Sequence, residues 1–168
     1  LDAARIILPN EGLNGVQVEG TPGELTDHYD PRTKKLRLSA GVAQQPSVAA
    51  LAIVAHEIGH ALQDAHGYAP LKLRGAIVPA VTVSSWVAPI LFFIGFLLGL
   101  TQLAWLGIIF FGMSVVFALV TLPVEFDASK RALKLLETYQ LADGRELQGA
   151  KSVLSAAALT YVAALAQT

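Results

Sequence analysis

The chain has no cysteine, and only 15% of its 168 residues are charged. Without thiols it can form no disulfide and offer no thiolate to a metal, so any transition metal must be held by His, Asp or Glu, and cysteine usage leaves the redox compartment open. The formal net charge is −1 and the basic residues form no long run, so nothing in the charge pattern recruits nucleic acid. One absence is larger than the others: residues 75–124 contain no Asp, Glu, Lys or Arg. The chain also opens at Leu1 without the basic start and apolar core of a signal peptide, and its Ala-rich end lacks a helix-stop signal. Both features predict that the natural protein continues beyond Leu1 and Thr168.

What fills the chain instead is apolar. Hydrophobic residues make up 54%, and the mean hydropathy is +0.53. That is too greasy for an ordinary soluble domain and predicts a membrane protein, with room for one domain and its spans. The uncharged stretch exceeds the roughly 20 residues that one crossing of a bilayer needs. It divides at Gly99-Leu100-Thr101-Gln102, which predicts spans over 77–98 and 103–122, a transmembrane helical hairpin within 77–122. Lys72 and Arg74 precede the first span, Lys130, Arg131 and Lys134 follow the second, and the short connection carries no basic residue. By the positive-inside tendency both outer ends face the cytoplasm, which predicts a multi-pass protein of the cell membrane with the lipid bilayer as a partner.

Just before that stretch stands Ala55-His56-Glu57-Ile58-Gly59-His60-Ala61-Leu62. Pro46 suits a first turn and Gly67 a stop, so residues 46–66 are expected to form one helix. In it His56 and His60 lie a turn apart on one side and can reach a single ion, while Glu57 sits one step round, where a base takes a proton from water. The bland alternative makes His56 and Glu57 solvated and His60 a satisfied core residue. It gives no reason for three such groups in so apolar a segment, where burying them unpaired is costly. Asp64 lies one turn beyond His60 and either orients it or is merely solvated; His66 in the last turn suits the helix dipole.

Two histidines need one more protein ligand to hold zinc with a position left for water. If the hairpin returns the chain to the side it left, Glu125 comes back close to His56 and His60 and is the third ligand, with Asp127 as the substitute. Residues 123–141 then form the helix that carries it. Upstream, residues 16–38 alternate apolar and polar side chains around Gly and Pro breaks, predicting a small antiparallel hairpin or three-stranded sheet. His28, beside its turn, is either a surface residue or a ligand or substrate contact. An Ala-rich helix over 146–167 closes the chain, and its Tyr161 is read as packing rather than as a carbonyl-polarising group.

The blocks LTDHYDPRT, AHEIGHALQDAHGYAPLKLR and LPVEFDASKRAL resemble, in order and spacing, the YugP-like neutral zinc metallopeptidases of bacteria, membrane proteins carrying HExxH. The resemblance covers nearly the whole chain. It implies a membrane-bound zinc endopeptidase of gluzincin type with one Zn²⁺ per chain, held by His56, His60 and Glu125, and with Glu57 as the acid/base. A looser likeness links the chain to the HtpX-like and CAAX prenyl membrane proteases, in which an aspartate stands one turn after the ligand glutamate. Here Ser129 takes that place, leaving Ser129 itself or Asp127 to orient His56. In those relatives an edge strand holds the substrate backbone, which implies a substrate-binding role for Thr26, Asp27, His28 and Tyr29.

The expected fold is therefore α+β and mainly helical: a zincin-like catalytic core, a small antiparallel sheet and an inserted transmembrane hairpin in one domain over 1–168. The expected function is hydrolysis of peptide bonds in membrane or membrane-presented proteins at the cytoplasmic face. The rival reading is a non-proteolytic zinc-binding scaffold or adaptor, in which the metal only ties the hairpin to the sheet.

Overall fold

A computed structural model of the chain describes residues 2–166, in the order α1 (Asp2–Asn10), β1 (Gln17–Thr21), β2 (His28–Asp30), β3 (Lys35–Ser39), α2 (Ala40–Gln44), α3 (Val48–Ala65), α4 (Ala69–Leu97), α5 (Thr101–Thr138) and α6 (Gly144–Ala166). The chain forms two compact units. The first takes the residues up to Tyr68 together with Val124–Leu159; the second takes Ala69–Pro123 and the part of α6 from Thr160. The last predicted residue of the closing helix, Gln167, and the side chain of Tyr161 lie outside the described residues.

In the first unit the sheet is mixed, not antiparallel as the alternation suggested. Its order is β1-β3-β2: β1 runs parallel to β3, pairing Gln17 with Lys35 through Thr21 with Ser39, while β2 runs antiparallel to β3, pairing Tyr29 with Leu36. Alternation tells which face of a strand is buried but not which neighbour it takes. The tight turn after Asp30, whose carboxylate accepts from Arg32 N–H and Thr33 Oγ1, closes β2 onto β3. That leaves β1 to pair with the free side of β3, where the link through Gly23, at φ +93°, delivers it in parallel.

The motif helix also starts later than predicted. Residues 40–44 form the separate short α2, and Ser47 caps α3 by accepting from Ala50 N–H at 3.1 Å. Pro46 therefore lies before the cap. At the other end Gly67, at φ +65°, lets Tyr68 N–H reach Gln63 O at 2.8 Å and Gly67 N–H reach Asp64 O at 3.0 Å, which closes the helix with a Schellman turn.

α3 is buried on two sides, which is why its sequence is apolar nearly all round. Val54, Ile58, Ala61 and Leu62 pack with Ile7 and Leu8 of α1, with Tyr29, Leu36 and Leu38 of the sheet and with Leu135. Ala52 and Ala55 pack with Ala132 and Leu136 of α5 and Ala150 and Leu154 of α6. The predicted span over 103–122 and helix over 123–141 prove to be one element, since α5 continues through Pro123 to Thr138.

In the second unit α4 and the first part of α5 are long and apolar enough to cross a membrane. Their large side chains are mostly uncovered, Trp86, Phe96, Leu97, Trp105 and Ile109 among them. They approach closely where side chains are small: a Cβ on Gly107 would lie 2.6 Å from Phe92 N and 2.8 Å from Ala88 O. Gly99, at φ +67°, turns the chain between them.

Gly59 makes the corresponding close approach in the first unit. A Cβ there would stand 2.6 Å from the carbonyl oxygen of Ala128 on α5, and backbone cannot swing aside as a flexible side chain can. Gly59→Ala should therefore cost about 1–3 kcal/mol through overpacking, despite alanine's better helix propensity. Gly41→Ala, with nothing within 4 Å of the new methyl group, should leave stability unchanged or slightly raised. Denaturation midpoints of the two variants check the pair, and equal midpoints would contradict the packing.

Candidate metal centre

The close approach at Gly59 brings one turn of α5 against one turn of α3. On α3, His56 and His60 stand with ring centroids 4.8 Å apart and planes at 85°. From α5, Glu125 Oε2 lies 3.1 Å from His56 Nε2 and 3.7 Å from His60 Nε2. His60 and Glu125 are buried and His56 is partly so. Among the described residues these three form the group able to hold a metal, with one ligand atom each and all within 4.8 Å of one another.

The donor set suits zinc. A tetrahedral ion with bonds of about 2.0–2.2 Å to imidazole nitrogen and carboxylate oxygen keeps its ligand atoms roughly 3.3 Å apart, and the separations of 3.1 and 3.7 Å fall on either side of that figure. Two nitrogens and one oxygen leave a fourth corner for water or substrate, as catalytic sets do.

The far sides of both rings are occupied. Ser129 Oγ lies 3.2 Å from His56 Nδ1, and Gln63 Oε1 lies 3.0 Å from His60 Nδ1. Of the two residues left open for orienting His56, Ser129 is thus the one in place; Asp127 instead accepts from Gln63 Nε2 at 2.8 Å and from Arg131 Nε at 2.6 Å. Asp64 does not orient His60 either, because its carboxylate accepts from Tyr29 Oη at 2.8 Å and from Lys34 Nζ. Gln63 stands three residues after His60, on the same helical face, a spacing that could have marked it in the sequence. His66, at the C-cap of α3, has Arg131 Nη1 3.2 Å from its Nδ1.

Glu57 reaches out of the helix to β2, where its Oε2 accepts Tyr29 N–H at 2.9 Å. Burial pushes its pKa up, and although both imidazoles and the Tyr29 amide pull the other way, it stays above the ordinary carboxylate value. A carboxylate so placed is readier than most to take a proton and hold it. Of the four residues proposed to hold substrate, Tyr29 alone meets Glu57 directly. Thr26 Oγ1 donates to Pro22 O at 3.1 Å, and Asp27 binds the main chain and hydroxyl of Ser39 at 2.7 and 3.0 Å. His28 is exposed, with Nδ1 2.7 Å from Thr26 O, and is not part of the metal group.

Together, fold and site define a mainly helical protein with a buried His₂–carboxylate metal group and two helices of membrane-crossing length. Residues 1–168 match the family described as "Putative neutral zinc metallopeptidase", and the chain belongs to that family, whose name implies zinc. Over 163 residues, 97% of this chain and 72% of the relative, it is 49% identical to the "Putative membrane protease YugP" of Bacillus subtilis (strain 168). No solved structure matches the chain.

A proton competes with any metal for His60 Nε2. Burial by itself depresses the His60 pKa, but the Glu125 carboxylate 3.7 Å from its Nε2, the charge of Glu57 and the bond with Gln63 lift it above 6.5. Since the protonated ring cannot ligate, zinc affinity should weaken as pH falls through that raised value, by about tenfold per pH unit for one competing proton. Zinc titrations in buffers of different ionisation heat should show proton release near neutral pH that disappears under alkaline conditions. Affinity that is flat across the neutral range would contradict this.

Proposed function

We propose that the chain is a membrane-embedded zinc endopeptidase of gluzincin type, with His56, His60 and Glu125 holding one Zn²⁺ and Glu57 as acid/base. The observation that supports this reading most is the convergence of Glu125 on His56 and His60 with Glu57 one residue away on the same helix. Bound zinc supplies Lewis acidity, lowering the pKa of a water and polarising a peptide carbonyl. Glu57 would take the proton of the water attacking the carbonyl carbon. As the C–N bond breaks, Glu57 passes the proton to the leaving amine.

Substrate is read as lying extended along β2. Because β3 is central, β2 is a sheet edge, and its Tyr29 N–H points at Glu57. A peptide laid along that edge, with Thr26, Asp27, His28 and Tyr29 beneath it, brings a carbonyl beside the base. The core is read as zincin-like for the same reason.

Residues 77–122 are read as crossing the bilayer twice, over 77–98 along α4 and 103–122 in the first part of α5. At 38 residues α5 is about 57 Å long, well over the roughly 30 Å of a hydrocarbon core. Glu125 stands where the uncharged stretch ends, so the centre belongs at the membrane surface. The basic residues flanking the pair favour the cytoplasmic side, and the substrates are membrane proteins or chains presented there.

Glu57→Gln separates this from a structural zinc site. It should keep zinc and lower casein or membrane-protein cleavage by about 10²–10⁴-fold, whereas Glu125→Ala should lose both metal and activity. Cleavage by Glu57→Gln at the wild-type rate, or full zinc occupancy in Glu125→Ala, would overturn the assignment.

A further inference from the structure

We propose that Gln63 is a positioning residue that fixes His60 as its Nδ1–H tautomer and so keeps the Nε2 lone pair for the metal. The inference rests on the reading of His60 as a ligand. A neutral imidazole carries its proton on one nitrogen or the other, and only the bare nitrogen can ligate. Which tautomer is present is set by the partner of the far nitrogen.

Glutamine is usually an ambiguous partner, because its amide can be turned over to donate or accept. Gln63 has no such freedom. Its side chain is fully buried, with Nε2 2.8 Å from Val124 O and 2.8 Å from Asp127 Oδ2. A main-chain carbonyl has no proton to give. Asp127 is in turn an acceptor for Arg131 Nε at 2.6 Å, and a guanidinium can only donate. Both N–H groups of the Gln63 amide are therefore committed to oxygens on α5. Turning the amide over would set Oε1 against those two oxygens in a place that water does not reach.

The carbonyl oxygen of the amide is left to face His60 Nδ1 at 3.0 Å, and it can only accept. The proton then sits on Nδ1, and Nε2 is the bare nitrogen, because the Glu125 carboxylate 3.7 Å from it is beyond hydrogen-bond reach. His56 is held differently, since the Ser129 hydroxyl 3.2 Å from its Nδ1 can donate or accept. Direction is imposed on one ring of the pair and left adaptable in the other.

The test uses the full chain in detergent or nanodiscs with ¹⁵N-labelled histidine. In the metal-free wild type, at a pH high enough to leave His60 neutral, long-range ¹H–¹⁵N correlation should show its proton on Nδ1. Gln63→Leu keeps the volume but removes the acceptor; the tautomer should shift toward Nε2–H, and zinc affinity by chelator competition should fall roughly 10–100-fold. Gln63→Met, of similar length and without the amide oxygen, should shift tautomer and affinity in the same direction. A space-filling role would leave tautomer and affinity unchanged in both variants.

A wild-type His60 protonated on Nε2 overturns the inference, as does Gln63→Leu with unchanged tautomer and affinity. Should Gln63→Leu fail to fold, Gln63→Met decides: folded with unchanged tautomer and affinity, it overturns the inference too. A wild type that binds no zinc yet shows the Nδ1–H form sinks the proposed function and supports the tautomer assignment.

Discussion

Everything at the centre depends on how near α5 comes to α3. The gap is set by a residue with no side chain facing one with almost none: Gly59, where a Cβ would stand 2.6 Å from the Ala128 carbonyl, and Ala128, which is fully buried. At that spacing a glutamate on α5 spans the distance to two imidazoles on α3. With one methyl group more between the helices, the carboxylate would have to stretch or the helices part. The glycine inside His56-Glu57-Ile58-Gly59-His60 is thus as much a part of the site's geometry as the residues that could hold a metal.

Close packing explains the second property of the centre, the partnering of its polar groups. Buried donors and acceptors that go unpaired are costly, and four contacts here supply partners. Gln63 links His60 to α5, Ser129 meets His56, Glu57 takes the Tyr29 amide and Asp64 takes the Tyr29 hydroxyl. The last two tie the edge strand to the motif helix at both the main chain and the side chain of one residue. A carboxylate held this way is oriented in advance, which lowers the reorganisation needed for it to take a proton.

Much of this could be read from the sequence, for identifiable reasons. The pair His56 and His60 was legible because helical spacing alone makes them neighbours. The return of Glu125 was legible because the uncharged residues 75–124 are long enough to go out and come back. The sheet was not, since alternating residues such as Lys35-Leu36-Arg37-Leu38 declare a buried face and stay silent about the neighbouring strand; β1 pairs in parallel for reasons of connection. Pro123 suggested a boundary, yet α5 runs through it, because one missing N–H removes a single bond from a helix whose other bonds and packing persist. The role of Gln63 was not legible, because the direction of an amide shows only when its acceptors are in place.

The central claim is that a carboxylate on one helix and two imidazoles on another enclose a single zinc ion with one corner left open. X-ray absorption at the zinc edge of the loaded, membrane-inserted protein tests it most directly. The account predicts two imidazole nitrogens and two oxygens, one from a carboxylate and one from water, all at about 2.0–2.2 Å. A shell with fewer than two imidazoles, or one closed by four protein ligands, would contradict it.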